Sequence, residues 1–195
     1  YLITAKYEGT VKGKTTIDTA ITFDRSGSTS HNNRLEIIKK TAMATHALMR
    51  RLNPNNTTYL AQYSDGVRPI KTRELRDVYA DGGTRTDLAL NWLIDTLKDR
   101  GPSLAYLITD GRPEGHPRII EMTIEAAKRF QEFPYVLLRI FLVDGDSTTE
   151  NITRNIGRAA GSSTKVIPVK NYELAGGLIK DISKAIGQMY DIASF

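Results

Sequence analysis

Five oxygen-bearing residues stand out by type and spacing. Asp24, Ser26 and Ser28 alternate within Phe23-Asp24-Arg25-Ser26-Gly27-Ser28. An extended segment points all three oxygens the same way, and Gly27 permits a tight turn among them. Thr84 lies in Gly82-Gly83-Thr84-Arg85-Thr86-Asp87, and Asp110 opens Asp110-Gly111-Arg112-Pro113. The set comprises two carboxylates and three hydroxyls, with no thiolate or imidazole. Such hard donors suit Mg²⁺ or Mn²⁺, with Ca²⁺ as a further candidate, and do not suit zinc. Each residue also has a plainer role open to it. Asp24 and Asp110 could cap helices, and Ser26 and Ser28 could serve turns. It is their joint occurrence with Thr84 that favours metal binding. Thr86 reads as a helix-start residue, and Asp87 as a first-turn carboxylate favoured by the helix dipole.

These residues need elements to bring them together. Strand-length apolar runs occur at Thr19–Phe23, Thr58–Tyr63, Ser103–Thr109, Val136–Val143 and Lys165–Val169. Their near-continuous hydrophobicity predicts strands buried on both faces. Helical stripes lie between them. Leu35, Ile38, Ala42, Met49 and Leu52 share one face of Arg34–Leu52, and Leu174, Leu178, Ile182, Ile186 and Met189 recur every three or four residues. Leu90, Leu93 and Leu97 mark another helix, and Ile120, Ile124 and Ala127 one after Pro117. Ser147 to Glu150 reads as a capping box opening the helix of Ile152 and Ile156. Strands alternating with helices imply an α/β fold with a mainly parallel central sheet covered by helices on both faces. Val67–Lys71, just after the turn-forming Asp65-Gly66, predicts a short antiparallel edge strand. Residues 1–16 read as an N-terminal extension with a possible strand in Leu2–Tyr7, and 17–195 as the folded domain.

In such sheets, ligands bind where strand C-termini run into loops, and the oxygen motifs follow or face those ends. The D-x-S-x-S stretch, G-G-T before an apolar helix, and apolar-T-D-G resemble the metal-ion-dependent adhesion site of von Willebrand factor A (vWA) domains. They occur in that family's order, and the likeness covers about residues 17 to 195. Tyr63-Ser64-Asp65 also looks like the family's usual strand ending. The resemblance implies a Rossmann-like vWA fold with Asp24, Ser26, Ser28, Thr84 and Asp110 at the metal-ligand positions. It further implies a binding module, not an enzyme, whose metal is completed by an Asp or Glu of a protein partner. Two carboxylates balance a divalent charge while three hydroxyls donate weakly, so a bound ion stays electrophilic and keeps exchangeable waters.

Arginine neighbours the motifs three times, at Arg25, Arg85 and Arg112. A guanidinium pairs bidentately with carboxylate or phosphate, so these three are candidate rim residues selecting an acidic or phosphorylated partner; ordinary solvated charges are the alternative. His31 and His116 follow the motifs closely but read as solvated, and His46 as a helix residue of packing or surface. No glycine-rich phosphate loop ending in Lys-Ser or Lys-Thr and no nucleophile elbow occurs. Ser26 stands where haloacid-dehalogenase-like phosphatases carry a second aspartate, which makes a metal-dependent phosphoryl hydrolase the poorer alternative. Trp92 and Leu93 read as core-facing.

The 195 residues carry a net charge of +5 and a pI near 9.4. Such a surface favours acidic partners, so a nucleic-acid or polyanion-binding accessory domain stays open beside the protein-binding reading. The resemblance adds adaptors of ring ATPases. There is no cysteine, which excludes disulfides and thiolate sites. Extracellular relatives often carry cysteines near their termini, so the likeness leans toward intracellular members, prokaryotic or viral. No apolar run is long enough for a membrane-spanning helix.

Overall fold

The structure, a computed structural model, describes residues 16–111, 113 and 116–193, with the side chains of 187–193 excepted. Apart from Thr16, the N-terminal extension lies outside the described residues. Six strands form one sheet: β1 (Asp18–Asp24), β2 (Thr58–Tyr63), β3 (Val67–Ile70), β4 (Ser103–Thr109), β5 (Val136–Val143) and β6 (Lys165–Val169). Their order is β3-β2-β1-β4-β5-β6. Every neighbouring pair is parallel except β2–β3. Asp65-Gly66 turns that pair back on itself, which makes β3 the antiparallel edge expected from the sequence.

Four α-helices lie between the strands, α1 (Arg34–Leu52), α2 (Thr86–Leu97), α3 (Pro117–Lys128) and α4 (Ser147–Ala159), and α5 (Leu174–Ala193) follows β6. Strand residues alternate between two cores. Ile21, Phe23, Leu104, Tyr106 and Phe141 pack toward Ile38 and Ala42 of α1 and Leu178 and Ile182 of α5. Ala20, Leu107 and Ile140 pack the other way, against Leu90 and Leu93 of α2, Ala127 of α3 and Ile156 of α4. This is the α/β architecture read from the strand–helix alternation.

Three expectations need correction. Leu52, the last residue of α1, is 42% exposed and so leaves the apolar stripe read for that helix. The cap of α4 is Asp146, whose side chain accepts the Thr149 amide at 2.7 Å, so Ser147 is the first helical residue. A full carboxylate charge answers the positive helix end better than a hydroxyl. Finally, β6 is an edge strand with Lys165 and Pro168 exposed. Proline lacks the amide an inner position needs, so the edge suits it.

One charge crosses the α1–α5 core. Arg139 of β5 is 1% exposed, and its Nε lies 3.3 Å from Asp181 Oδ2 of α5. Its Nη1 donates to the carbonyls of Ser163 at 2.8 Å and Leu138 at 3.2 Å, while the Tyr106 hydroxyl reaches Asp181 at 3.3 Å.

Candidate metal centre

Phe23 of β1 pairs with Ile108 of β4, so Asp24 finishes beside Thr109 and Asp110. From there the chain leaves β1 for α1 on one face and β4 for α3 on the other. Diverging connections open a crevice between the two strand ends.

Asp24 sits at the bottom with no exposed surface. Its Oδ1 accepts the Ser26 amide at 2.7 Å, and its Oδ2 accepts the Thr109 hydroxyl at 3.1 Å. Ser26 Oγ lies 3.0 Å from Ser28 Oγ, and the Ser28 hydroxyl donates to Asp110 Oδ1 at 2.9 Å. Four of the five candidate ligands are therefore joined in one continuous string. Thr84 arrives on a third loop stitched to its neighbours. The Gly82 carbonyl accepts the Gly27 amide at 3.2 Å, the Arg85 amide donates to the Ser64 carbonyl at 2.8 Å, and the Gly83 amide donates to Asp65 Oδ1 at 3.0 Å. The half-buried Thr84 has no hydrogen bond from its hydroxyl among the described residues.

Loss of hydration pushes the Asp24 carboxyl up to about 7, with Asp110 adding repulsion, against the lowering effect of the bonds from Ser26 and Thr109. Burial likewise holds the Tyr63 hydroxyl well above its ordinary range, and Asp24 adds to the shift. A dry carboxylate beside a second one is an environment that a cation relieves. The spacing agrees. Ligands at about 2.0–2.1 Å in an octahedron stand about 2.9–3.0 Å apart along an edge, and the two hydroxyl contacts of Ser28 measure 3.0 and 2.9 Å. The same separations serve hydrogen bonding. The residues present thus fit a small divalent ion held by mixed carboxylate and hydroxyl oxygens. Among the described residues no group of three or more His, Cys, Asp or Glu is placed to hold a metal.

Two of the three candidate rim arginines make intramolecular bonds. Arg25 Nη1 donates to the carbonyls of Tyr79 at 3.4 Å and Asp81 at 3.3 Å. Arg85 forms a two-pronged pair with Asp87, at 2.9 and 2.8 Å. Arg112 lies outside the described residues. His31 is exposed, with Nδ1 3.2 Å from the Ser28 carbonyl. His116 caps α3, accepting the Arg118 amide at 3.3 Å. His46 keeps a buried Nδ1 on α1.

Sequence reasoning missed Arg34 and Asp144, and it met Thr109 only as part of the T-D-G motif, without its bond to Asp24. Arg34, the first residue of α1, donates from Nη1 to Asp110 Oδ2 at 2.8 Å, and its Nε lies 3.4 Å from Asp144 Oδ2. A signal for Asp144 was present: it follows β5 directly, as Asp110 follows β4. Arg34 had none, because it read as an ordinary helix-start residue.

No protein-family model matches the sequence, and no curated protein matches it either. Solved structures do match. The VWA domain of SpRpn10 is 18% identical over 80% of this chain and 89% of its own, with a TM-score of 0.65. This chain has the vWA fold. A mutant of the PilB minor pilin from Streptococcus sanguinis superposes with a TM-score of 0.76 at 15% identity, covering 95% of this chain and 64% of the pilin. Proximal thread matrix protein 1 from the mussel byssus, solved with a zinc-occupied MIDAS motif, gives 0.63 at 16% identity, over 86% of this chain and 44% of that one. The chain thus spans less than two thirds of either longer protein. At such identities the likeness carries the vWA fold and no activity.

Proposed function

We propose that this vWA-fold chain is a metal-dependent protein-binding module without turnover, engaging an acidic side chain of a partner through Asp24, Ser26, Ser28, Thr84 and Asp110. The observation that carries it is the hydrogen-bonded string at the crevice, running from buried Asp24 to the Ser26 amide, and from the Ser26 hydroxyl through Ser28 to Asp110. Asp24 and Asp110 supply negative charge, and the three hydroxyls fill neutral positions. The Ser26 amide and Thr109 hydroxyl hold the Asp24 carboxylate in one orientation. With a divalent ion held by these residues, the site would offer a Lewis-acidic centre for a partner carboxylate. Mg²⁺ and Mn²⁺ remain the favoured ions. Zinc joins the ions to be compared, since a MIDAS motif in the mussel protein holds it.

The rim proposal for Arg25, Arg85 and Arg112 continues from the sequence. Arg25 bonds only neutral carbonyls among the described residues, so its charge persists at the crevice edge. Arg85 is balanced by Asp87 and contributes less field.

Calorimetric titration of Mg²⁺ into EDTA-stripped protein tests the core of this reading. Saturable one-site binding is expected in the wild type, and at least a tenfold loss in folded Asp24→Ala and Asp110→Ala. Absence of binding to wild type, even with a carboxylate mimic present, refutes it.

A further inference from the structure

We infer that Arg34 sets the metal affinity of this site, its guanidinium acting as a tethered cation that competes with a divalent ion for Asp110. This rests on the metal-binding reading above.

The two oxygens of Asp110 are divided between different tasks. Oδ1 takes the Ser28 hydroxyl and so belongs to the ligand string, while Oδ2 takes Arg34 Nη1 at 2.8 Å. The Asp110 side chain is 0% exposed and that of Arg34 only 17%. Water therefore screens this pair weakly, and the guanidinium charge acts on the crevice at close range. Its second anchor is Asp144, 3.4 Å from Nε. Asp144 is itself fixed: its amide donates to the Val169 carbonyl at 2.9 Å, and its Oδ1 accepts the Asn171 amide at 3.3 Å. It also adopts a left-handed backbone with φ of 51°. Two carboxylates from neighbouring strand ends thus hold one guanidinium in place.

Local rules argue against an arginine at this position. Arg34 opens α1, where the helix dipole disfavours a cation, and the preceding Asn33 is left-handed and gives no side-chain cap. A residue that opposes its own element is explained by what it contacts, here Asp110 and Asp144. When a divalent ion enters, Asp110 must serve two cations at once. Asp144 offsets part of the arginine charge, so it favours metal binding through Arg34.

Magnesium titration of wild type, Arg34→Gln, Asp144→Asn and the double variant tests this, together with melting temperatures in EDTA and in saturating Mg²⁺. Asparagine tolerates the left-handed conformation, so Asp144→Asn should fold. Arg34→Gln should bind Mg²⁺ about tenfold more tightly, melt lower in EDTA, and gain more from Mg²⁺ than wild type. Asp144→Asn should bind more weakly than wild type, and that drop should vanish in the double variant. Unchanged or weaker binding by folded Arg34→Gln overturns the inference and leaves Arg34 as an orienting residue for Asp110. Should that variant not fold, Arg34→Met replaces it, since methionine keeps an unbranched side chain of similar reach and removes the charge. It too should bind Mg²⁺ more tightly than wild type, and no gain overturns the inference. If wild type and all variants fail to bind Mg²⁺, the metal reading falls and this inference with it. If wild type binds normally, only the inference is at stake.

Discussion

With its carboxyl raised from the ordinary 3.8 to about 7, chiefly by burial, Asp24 couples folding and ligand binding to pH. Between those values the folded, metal-free protein holds a proton that the unfolded chain has lost. The contribution of this group to stability is therefore fully present below about 3.8 and is lost as pH rises through about 7. That rise corresponds to about 4 kcal/mol at most. Melting temperatures in EDTA should consequently drop between pH 5.5 and 8 through this group, and Asp24→Asn should remove that component of the slope. Metal binding carries the opposite sign. Below about pH 7 an ion must displace the Asp24 proton, so apparent affinity should weaken with acidification and binding should release protons to the buffer.

The elements around the site owe their precision to close packing between loops. Gly82 shows this best. Its φ is +83°, and a Cβ there would meet Asp65 Oδ2 at 2.5 Å and Ser64 Oγ at 3.0 Å. Glycine lets the Thr84 loop approach the end of β2, and its carbonyl accepts the Gly27 amide from the loop after β1. Gly82→Ala should cost roughly 1–3 kcal/mol in urea unfolding, through strain and the clash. It should also weaken Mg²⁺ binding by moving Thr84. Normal stability with normal metal affinity would show that the loop accommodates a side chain. The helices were largely legible in advance: α1 spans Arg34–Leu52, as its apolar spacing predicts, and Thr86 opens α2. The cap of α4 was less legible, because Asp146 and Ser147 are adjacent and both are competent caps. The structure gives the cap to Asp146, which accepts the Thr149 amide.

Across the whole molecule, strand order decides which loops become neighbours. With β1 beside β4 at the centre of the sheet, the crevice forms where the flanking connections diverge. The far side of the fold is pinned by Arg139 and Asp181, which join β5 to α5 inside the apolar core. Removing one partner of a buried pair leaves the other poorly compensated, so Asp181→Ala should cost roughly 3–5 kcal/mol in denaturant unfolding. Replacing both residues with apolar ones of similar volume should cost much less. A small penalty for Asp181→Ala alone would mean that the remaining partners of Arg139, the Ser163 and Leu138 carbonyls among them, suffice without the carboxylate.

The fold class and the position of the antiparallel edge were determined by the sequence alone. Hydrophobic periodicity, run length and the Asp65-Gly66 turn are local properties that survive without knowledge of neighbours. The Asp24-x-Ser26-x-Ser28 motif was equally local, but the extended segment read there was not found: the strand stops at Asp24, and Ser28 lies in a 3-10 helix at Gly27–Asn33, where its hydroxyl still reaches Asp110. What only the tertiary structure decided was contact at long range. Thr109 reaches Asp24 across 85 residues, and Arg34 reaches Asp110 across 76. It also decided that β6 is an edge strand and that Leu52 is exposed. The physical reason is shared by all of these. Periodicity tells each element which of its faces seeks cover, while packing of the complete set determines which element provides it and which side chains then meet.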